Sequence, residues 1–126
     1  MIYGIGTDLV DLDRIRKMKS LSSFASKILG TQELEQYDGL PEGSKPFYLG
    51  KQFAGKEAFV KALGTGFKEP IFLRDVRILR NSHGKPEFSL SAAAKSYVEG
   101  LGITKSHVSL ADESNHLLAF AVLENE

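Results

Sequence analysis

Hydrophobic and polar residues follow two patterns along the chain, one typical of strands and the other of helices. Residues 1–10 are mostly aliphatic with glycines between them, which predicts a strand that another backbone approaches closely. Residues 20–29 show a helical period, and Gly30 predicts the end of that short helix. Its apolar positions are Leu21, Phe24, Ala25, Ile28 and Leu29.

Capping residues predict two further short helices. A basic helix is expected to begin at Asp11 or Asp13 and to extend to about Met18. Another is expected over residues 32–37, with Thr31 as its N-cap. The first 40 residues should therefore form one strand followed by a series of short helices.

A long central helix is predicted next. Ser44 is its expected N-cap, and Pro46 is tolerated in the first turn, where its missing N–H is not needed. The helix should end at Leu63, because Gly64 or Gly66 supplies the usual left-handed stop. Small residues form a ridge along it that lets another backbone approach: Gly50, Ala54, Ala58 and Ala62.

Strand patterns dominate the second half of the chain. Ser91 is expected to cap a helix over residues 92–99, with a glycine-containing hairpin before it. Early helices and late antiparallel strands predict one α+β domain over residues 1–126, in which the long helix packs on a small antiparallel sheet. The strands of this half are expected at residues 75–80, 86–90, 106–111 and 117–123.

Composition narrows the class of protein. The chain has 126 residues, a formal net charge of zero and no cysteine, which gives no sign of nucleic-acid binding and excludes disulfides and thiolate metal sites. Asp8 interrupts the N-terminus before a signal-peptide core, and the longest apolar run, residues 117–123, is too short to span a bilayer. We expect no membrane association and a cytoplasmic location.

The central helix also carries charges in an otherwise apolar run. Glu57 and Lys61 are four residues apart and share one helical face. On spacing alone, an exposed ion pair worth about 0.3–0.5 kcal/mol explains them more simply than a site does. The N-terminal strand changes that balance, because it delivers a second carboxylate, Asp8, near its end.

Two segments carry a family resemblance. They are GIGTD at positions 4–8, and FAGKEAFVK at positions 53–61 followed by GTG at 64–66. Together they resemble the phosphopantetheinyl transferases, most closely the short, single-repeat type, over nearly the whole chain. The resemblance implies the fold of that family and transfer of 4′-phosphopantetheine from coenzyme A to a serine of an apo acyl carrier protein, as in fatty acid biosynthesis.

The resemblance also implies the catalytic residues. Asp8 and Glu57 match the family's Mg²⁺ carboxylates, and Mg²⁺ prefers such oxygen ligands. Lys61 would reach a phosphate oxygen or the leaving group. The acceptor of the serine proton would be Glu57, or a water held by Asp8 and the metal.

The coenzyme contacts come from several segments. Gly64 and Gly66 let backbone N–H groups approach the nucleotide, and GKP at positions 84–86 and HVS at 107–109 match family segments near it. Relatives often have arginine where this chain has Gln52, so the 3′-phosphate contact would fall to another cation. That cation would be Lys51, Lys45 or His107, and Asp112 is assigned no role. The expected coenzyme-binding residues are Lys51, Lys56, Lys61, Gly64, Gly66, Pro86 and His107.

The charge distribution and the resemblance predict two partners, a carrier protein and further copies of the chain. Five basic residues and no acidic one lie between Arg14 and Gln32, which suits an acidic carrier protein, with Arg14 and Met18 as the expected contacts. A solvated helix face is the plainer alternative. Single-repeat relatives assemble as homotrimers with active sites between subunits, so we expect the same here.

Two other functions remain open at this stage. One is a non-catalytic module that docks an acidic protein, which has no need of two converging carboxylates. The other is a different Mg²⁺-dependent enzyme acting on a nucleotide, which analysis of the products formed from coenzyme A would distinguish.

Overall fold

A computed structural model describes all 126 residues. Ten helices and strands follow one another, with short 3₁₀ turns at Glu42–Ser44 and Leu73–Asp75. In chain order they are β1 (Ile2–Asp11), α1 (Leu12–Arg16), α2 (Leu21–Ile28), α3 (Thr31–Asp38), α4 (Lys45–Leu63), β2 (Val76–Arg80), β3 (Pro86–Leu90), α5 (Ala92–Gly100), β4 (Ile103–Glu113) and β5 (His116–Asn125). The α+β prediction is confirmed.

Two antiparallel sheets flank the long helix α4. The larger has the strand order β1-β5-β4, so the N-terminal strand pairs with the C-terminal one. The smaller is the predicted β2–β3 hairpin. Asp8 pairs with Ala119, which pairs in turn with Leu110 on β4. None of the helices combines the length and the apolar character that crossing a membrane requires.

Helix α4 contacts β1 through backbone atoms. A Cβ placed on Gly6 would stand 2.8 Å from the backbone nitrogen of Ala62 and closer still to the carbonyl oxygen of Ala58. The predicted ridge of small residues therefore admits another backbone, as expected. That backbone belongs to the same chain, however, because Gly50 and the three alanines of the ridge are all buried. The ridge is not a surface for a second copy.

Local capping signals were correct at some helix ends and wrong at others. Ser20 and Ser91 cap α2 and α5 by accepting backbone N–H groups, and Gly64 ends α4 in the left-handed region with φ 82°. The N-cap of α3 is Gly30 rather than the predicted Thr31. Ser44 occupies the predicted position before α4 but makes no side-chain cap, because the 3₁₀ turn before it already leads into the helix.

Candidate active site

Asp8, Glu57 and Lys61 come together where β1 crosses α4. Lys61 Nζ lies 3.0 Å from Asp8 Oδ1 and donates a second hydrogen bond, also 3.0 Å, to the carbonyl oxygen of Thr7. The Asp8 side chain is 16% exposed and that of Lys61 is 53% exposed, so the pair lies at the surface rather than in the core. Strand β1 and helix α4 thus bring together the three residues predicted to be catalytic.

The surroundings of Glu57 disfavour the ionised form of its carboxyl group. Burial raises the pKa of the Glu57 carboxyl above its usual value, and the negative charge of Asp8 raises the pKa further. Lys61 lowers the pKa of Glu57 but does not offset the other two effects. The two carboxylates therefore form a region of negative charge that a single lysine leaves partly uncompensated.

The donor set of this region fits Mg²⁺. The chain has no cluster of three or more His, Cys, Asp or Glu side chains arranged around a metal position. Mg²⁺ is commonly bound by one or two carboxylates, with waters and substrate phosphates completing its shell. Asp8 and Glu57 supply two such groups from separate elements, and a divalent cation would neutralise the charge that raises the pKa of Glu57.

A glycine turn follows Lys61 directly. Gly64 has φ 82° and Gly66 has φ 69°, so both are in the left-handed region that favours glycine. No atom of the chain lies within 4 Å of a Cβ built on either glycine. The turn therefore leaves open space next to the carboxylate pair.

Other predicted coenzyme residues form a second cluster. Pro86 and His107 line one cavity of about 280 Å³, together with Lys85, Lys105 and Ser106. His107 Nε2 lies 2.5 Å from Glu124 Oε2 on the neighbouring strand β5. Basic groups outnumber the one acidic side chain of the lining, Glu87, and Ser106 adds a hydroxyl, which suits an anionic ligand such as a nucleotide phosphate.

The two clusters lie at opposite edges of the larger sheet. Asp8 is on β1 and His107 is on β4, with β5 between them. Two strand spacings separate these edges by about 10 Å. The two side chains also point to opposite faces, because Asp8 is in register with Leu110, three residues from His107. The two clusters of one chain therefore do not face each other.

The structure corrects the prediction that Lys56 binds the coenzyme. Its side chain is fully buried, and its ammonium hydrogen-bonds to Glu33 and to two backbone carbonyls of the same chain. Burial lowers the pKa of Lys56, and the carboxylate of Glu33 opposes that shift. Gln52, which precedes Phe53, is buried in the same network, with its Nε2 2.5 Å from Glu33 Oε2. Its side chain therefore points into the core.

Two further candidate phosphate ligands are already paired within the chain. Lys51 Nζ lies 2.6 Å from Asp112 Oδ2, which gives the unassigned Asp112 a partner. Lys45 Nζ lies 2.7 Å from Glu42 Oε1 and over the ring of Tyr37. Both lysines retain some exposure, so an anion would have to compete with a carboxylate for either of them.

The predicted carrier contacts are only partly on one surface. Helix α1 ends at Arg16 rather than near Met18, so the four-residue spacing no longer places Arg14 and Met18 on one helical face. Arg14 is exposed, whereas Met18 is partly buried and packs against the core. Arg16 is paired with Asp13 at 3.8 Å, which leaves Arg14 as the better candidate for an external partner.

Sequence reasoning missed two acidic residues that organise these regions. Glu33 lies in a polar segment that looks like a solvated helix, and only its position three residues after Gly30 hints at a capping role. Glu124 lies near the C-terminus, where strand pairing alone brings it to His107. Neither residue has a local signal for its main partner.

The fold and the carboxylate pair define a class of protein that comparison with known families identifies. The family model of the 4′-phosphopantetheinyl transferase superfamily matches residues 4–121. The chain therefore belongs to this superfamily, and the resemblance noted in the sequence is confirmed.

Particular relatives narrow the class. The chain is 44% identical to a holo-[acyl-carrier-protein] synthase of Neisseria meningitidis, over 98% of this chain and 99% of that protein. It is 42% identical to one of Thiobacillus denitrificans, over 98% and 95% of the two chains.

Solved structures agree with these relatives. The crystal structure of the Neisseria meningitidis holo-[acyl-carrier-protein] synthase matches with a TM-score of 0.91 and 41% identity, over 99% of this chain and 100% of that one. A Bacillus anthracis holo-(acyl-carrier-protein) synthase in complex with CoA (3′,5′-ADP) matches with a TM-score of 0.84 and 31% identity, over 100% and 99%. The predicted fold is thereby confirmed.

Proposed function

We propose that this chain is a holo-[acyl-carrier-protein] synthase. It transfers 4′-phosphopantetheine from coenzyme A to a serine hydroxyl of an apo acyl carrier protein, releases 3′,5′-ADP, and serves fatty acid biosynthesis in the cytoplasm. The observation that carries the proposal is the convergence of Asp8 and Glu57 beside Lys61. Its support is the similarity to holo-[acyl-carrier-protein] synthases, one of them solved with CoA.

The reaction forms one P–O bond and breaks another. The serine oxygen bonds to the phosphorus on the pantetheine side of the pyrophosphate, and the P–O bond to 3′,5′-ADP breaks. The serine proton passes to Glu57 or to a water beside Asp8. Lys61 neutralises negative charge that grows on the phosphate oxygens, which lowers the barrier because it is already held in place by Thr7 and Asp8.

Asp8 and Glu57 would hold Mg²⁺, which supplies Lewis-acid neutralisation of the pyrophosphate when bound. The chain's own contribution is to fix the two carboxylates on different elements. Asp8 is set by the pairing of β1 with β5, and Glu57 by its half-buried position on α4. The open turn at Gly64 and Gly66 leaves room for the nucleotide next to them.

The proposed enzyme is a homotrimer in which neighbouring chains complete each site. The half-site at Pro86 and His107 cannot serve the carboxylate pair of its own chain, since it lies at the opposite edge and face of the sheet. A neighbouring chain would bring it there. The sheet face turned away from α4 also exposes apolar side chains, as interfaces do: Ile5, Leu9, Leu118 and Phe120 are 58%, 62%, 43% and 39% exposed.

The activity is tested by incubating the protein with coenzyme A, Mg²⁺ and an apo carrier protein, then measuring the mass of the carrier and identifying the nucleotide product. Asp8→Ala and Glu57→Ala should each reduce transfer by at least about 100-fold without loss of fold. Glu113→Ala is the matched control, because Glu113 is an exposed carboxylate away from the pair. Wild-type transfer by either site variant would remove that residue from the mechanism.

The assembly is tested by light scattering. Three chains of 13.9 kDa should give a particle of about 42 kDa. Phe120→Ser on the outer sheet face should dissociate it and abolish transfer, whereas Phe72→Ser, at a phenylalanine elsewhere that is 50% exposed against 39% for Phe120, should change neither. A fully active particle of one chain's mass would contradict the shared site.

A further inference from the structure

The core contains a charged network that the proposed reaction does not use. The side chains of Glu33 on α3 and Lys56 on α4 are both 0% exposed, and Lys56 Nζ lies 2.8 Å from Glu33 Oε1. Gly30 N–H donates to the same oxygen at 2.9 Å. The other carboxylate oxygen accepts from Gln52 Nε2 and from the backbone N–H of Ile78. The carboxylate is therefore fully satisfied by one helix end, α4 and β2.

The network ties α4 to the start of the β2–β3 hairpin. Lys56 Nζ donates to the carbonyl oxygens of Leu73 at 2.9 Å and Val76 at 2.7 Å, so all three of its hydrogens are used. Gln52 also donates to the carbonyl oxygen of Ile78 at 3.0 Å. Two side chains of α4 thus bind three backbone carbonyls between residues 73 and 78, in the segment that leads into β2 and begins it.

Stability alone gives little reason for such a network. Replacing a buried ion pair by apolar side chains of similar volume is often neutral or stabilising, because the charges lose more hydration than their attraction returns. Unlike apolar packing, the hydrogen bonds of an ion pair are directional. They therefore require one relative placement of the elements that they join. The network therefore suggests a geometric requirement between α4 and the hairpin.

The elements that it joins carry the two half-sites. Lys56 is adjacent to Glu57 on α4. Strand β2 pairs with β3 so that Arg80 faces Pro86, which lines the second cavity. A shift of β2 relative to α4 would move Pro86 relative to Glu57.

We infer that the Glu33–Lys56 pair positions two parts of the active site within one chain. It holds α4, which carries Glu57, in a set place relative to the hairpin, which carries Pro86 and completes the site of a neighbouring chain. This inference rests on the proposed function and trimer. Neither residue touches substrate; both act through the placement of Glu57 and of the hairpin. The contact of the carrier with α1 lies outside the network.

The test replaces both charges together. Glu33→Leu/Lys56→Met keeps an apolar core and leaves no single charge buried. We expect a folded protein whose coenzyme A KM rises about tenfold while the carrier KM changes less than twofold, because the hairpin contributes to coenzyme binding. Amide hydrogen exchange should accelerate in residues 73–90 and not in β1 or β5. Gln52→Leu, which removes two of the bonds without touching the charges, should show a smaller effect in the same direction.

Ala94→Gly on α5 is the control for general destabilisation, since Ala94 is fully buried but outside the network. It should lower the denaturant midpoint and leave both KM values unchanged. If the double variant keeps the wild-type coenzyme A KM and exchange pattern, the pair is only part of the core. The same conclusion follows if the double variant and Ala94→Gly both change the two KM values alike. If the wild type transfers nothing, the proposed function fails, and the exchange pattern still tests the attachment of the hairpin.

Discussion

Gly6→Ala tests whether the active site depends on backbone contact between β1 and α4. The added methyl would lie 2.8 Å from the nitrogen of Ala62 and nearer to the carbonyl oxygen of Ala58, whereas ordinary contacts begin at 3.4 Å. Both neighbours are backbone atoms, so no side-chain rotation relieves the overlap. Strand β1 would have to move away from α4 by roughly 1 Å, which places this change among the costlier forms of overpacking.

Two effects of this movement can be estimated. Overpacking should destabilise the fold by about 3 kcal/mol, offset by about 0.5 kcal/mol because alanine restricts the unfolded chain more than glycine does. Since Asp8 lies two residues along the same strand, its carboxylate moves away from Glu57 and Lys61. A misplacement of about 1 Å in a catalytic site can cost about 100-fold in rate.

The assay combines denaturant unfolding with the initial rate of carrier modification, measured on the folded fraction. Gly43→Ala is the control, because a Cβ there has no neighbour within 4 Å. Adding Ala58→Gly should not rescue Gly6→Ala, since the overlap is with the backbone of residue 58. Wild-type stability and rate in Gly6→Ala, or rescue by Ala58→Gly, would refute the reasoning.

Two further predictions concern charged residues. Arg14→Glu should raise the carrier KM about tenfold and leave the coenzyme A KM unchanged, with Lys95→Glu as an exposed control. Added salt should weaken carrier binding selectively. Equal effects on both substrates would contradict docking of the carrier at Arg14. The hydrogen bond from His107 holds the pKa of Glu124 below its usual value. That contribution to stability is present above the ordinary glutamate pKa of about 4.3 and is lost as pH falls through the lower folded value. Denaturant midpoints of Glu124→Gln should therefore be lower than those of the wild type near pH 5–6, and the difference should shrink as the pH falls below the ordinary glutamate pKa. A difference that stays constant as the pH falls would exclude the pair as its source.

The sequence by itself determined the order and type of the elements. Capping by Ser91 and the stop at Gly64 are local effects, and local interactions decide where a helix begins and ends. The motif around Glu57, together with Asp8, also predicted the family, which the match of the family model to residues 4–121 confirms. These local signals were correct at Ser91 and Gly64 and wrong at Thr31, while Ser44 holds the predicted position without a side-chain cap.

Only the tertiary structure decided which polar residues face the core. Helix α4 is enclosed on most sides, so its apolar residues show no single face, and spacing does not separate the buried Lys56 from the exposed Lys61. Glu33 looks solvated in its own helix and is buried because a lysine 23 positions away supplies its charge partner. The same holds for the pairing of β1 with β5, which joins the two ends of the chain. Burial and pairing of this kind arise from contacts between distant segments, and no local pattern of residues contains them.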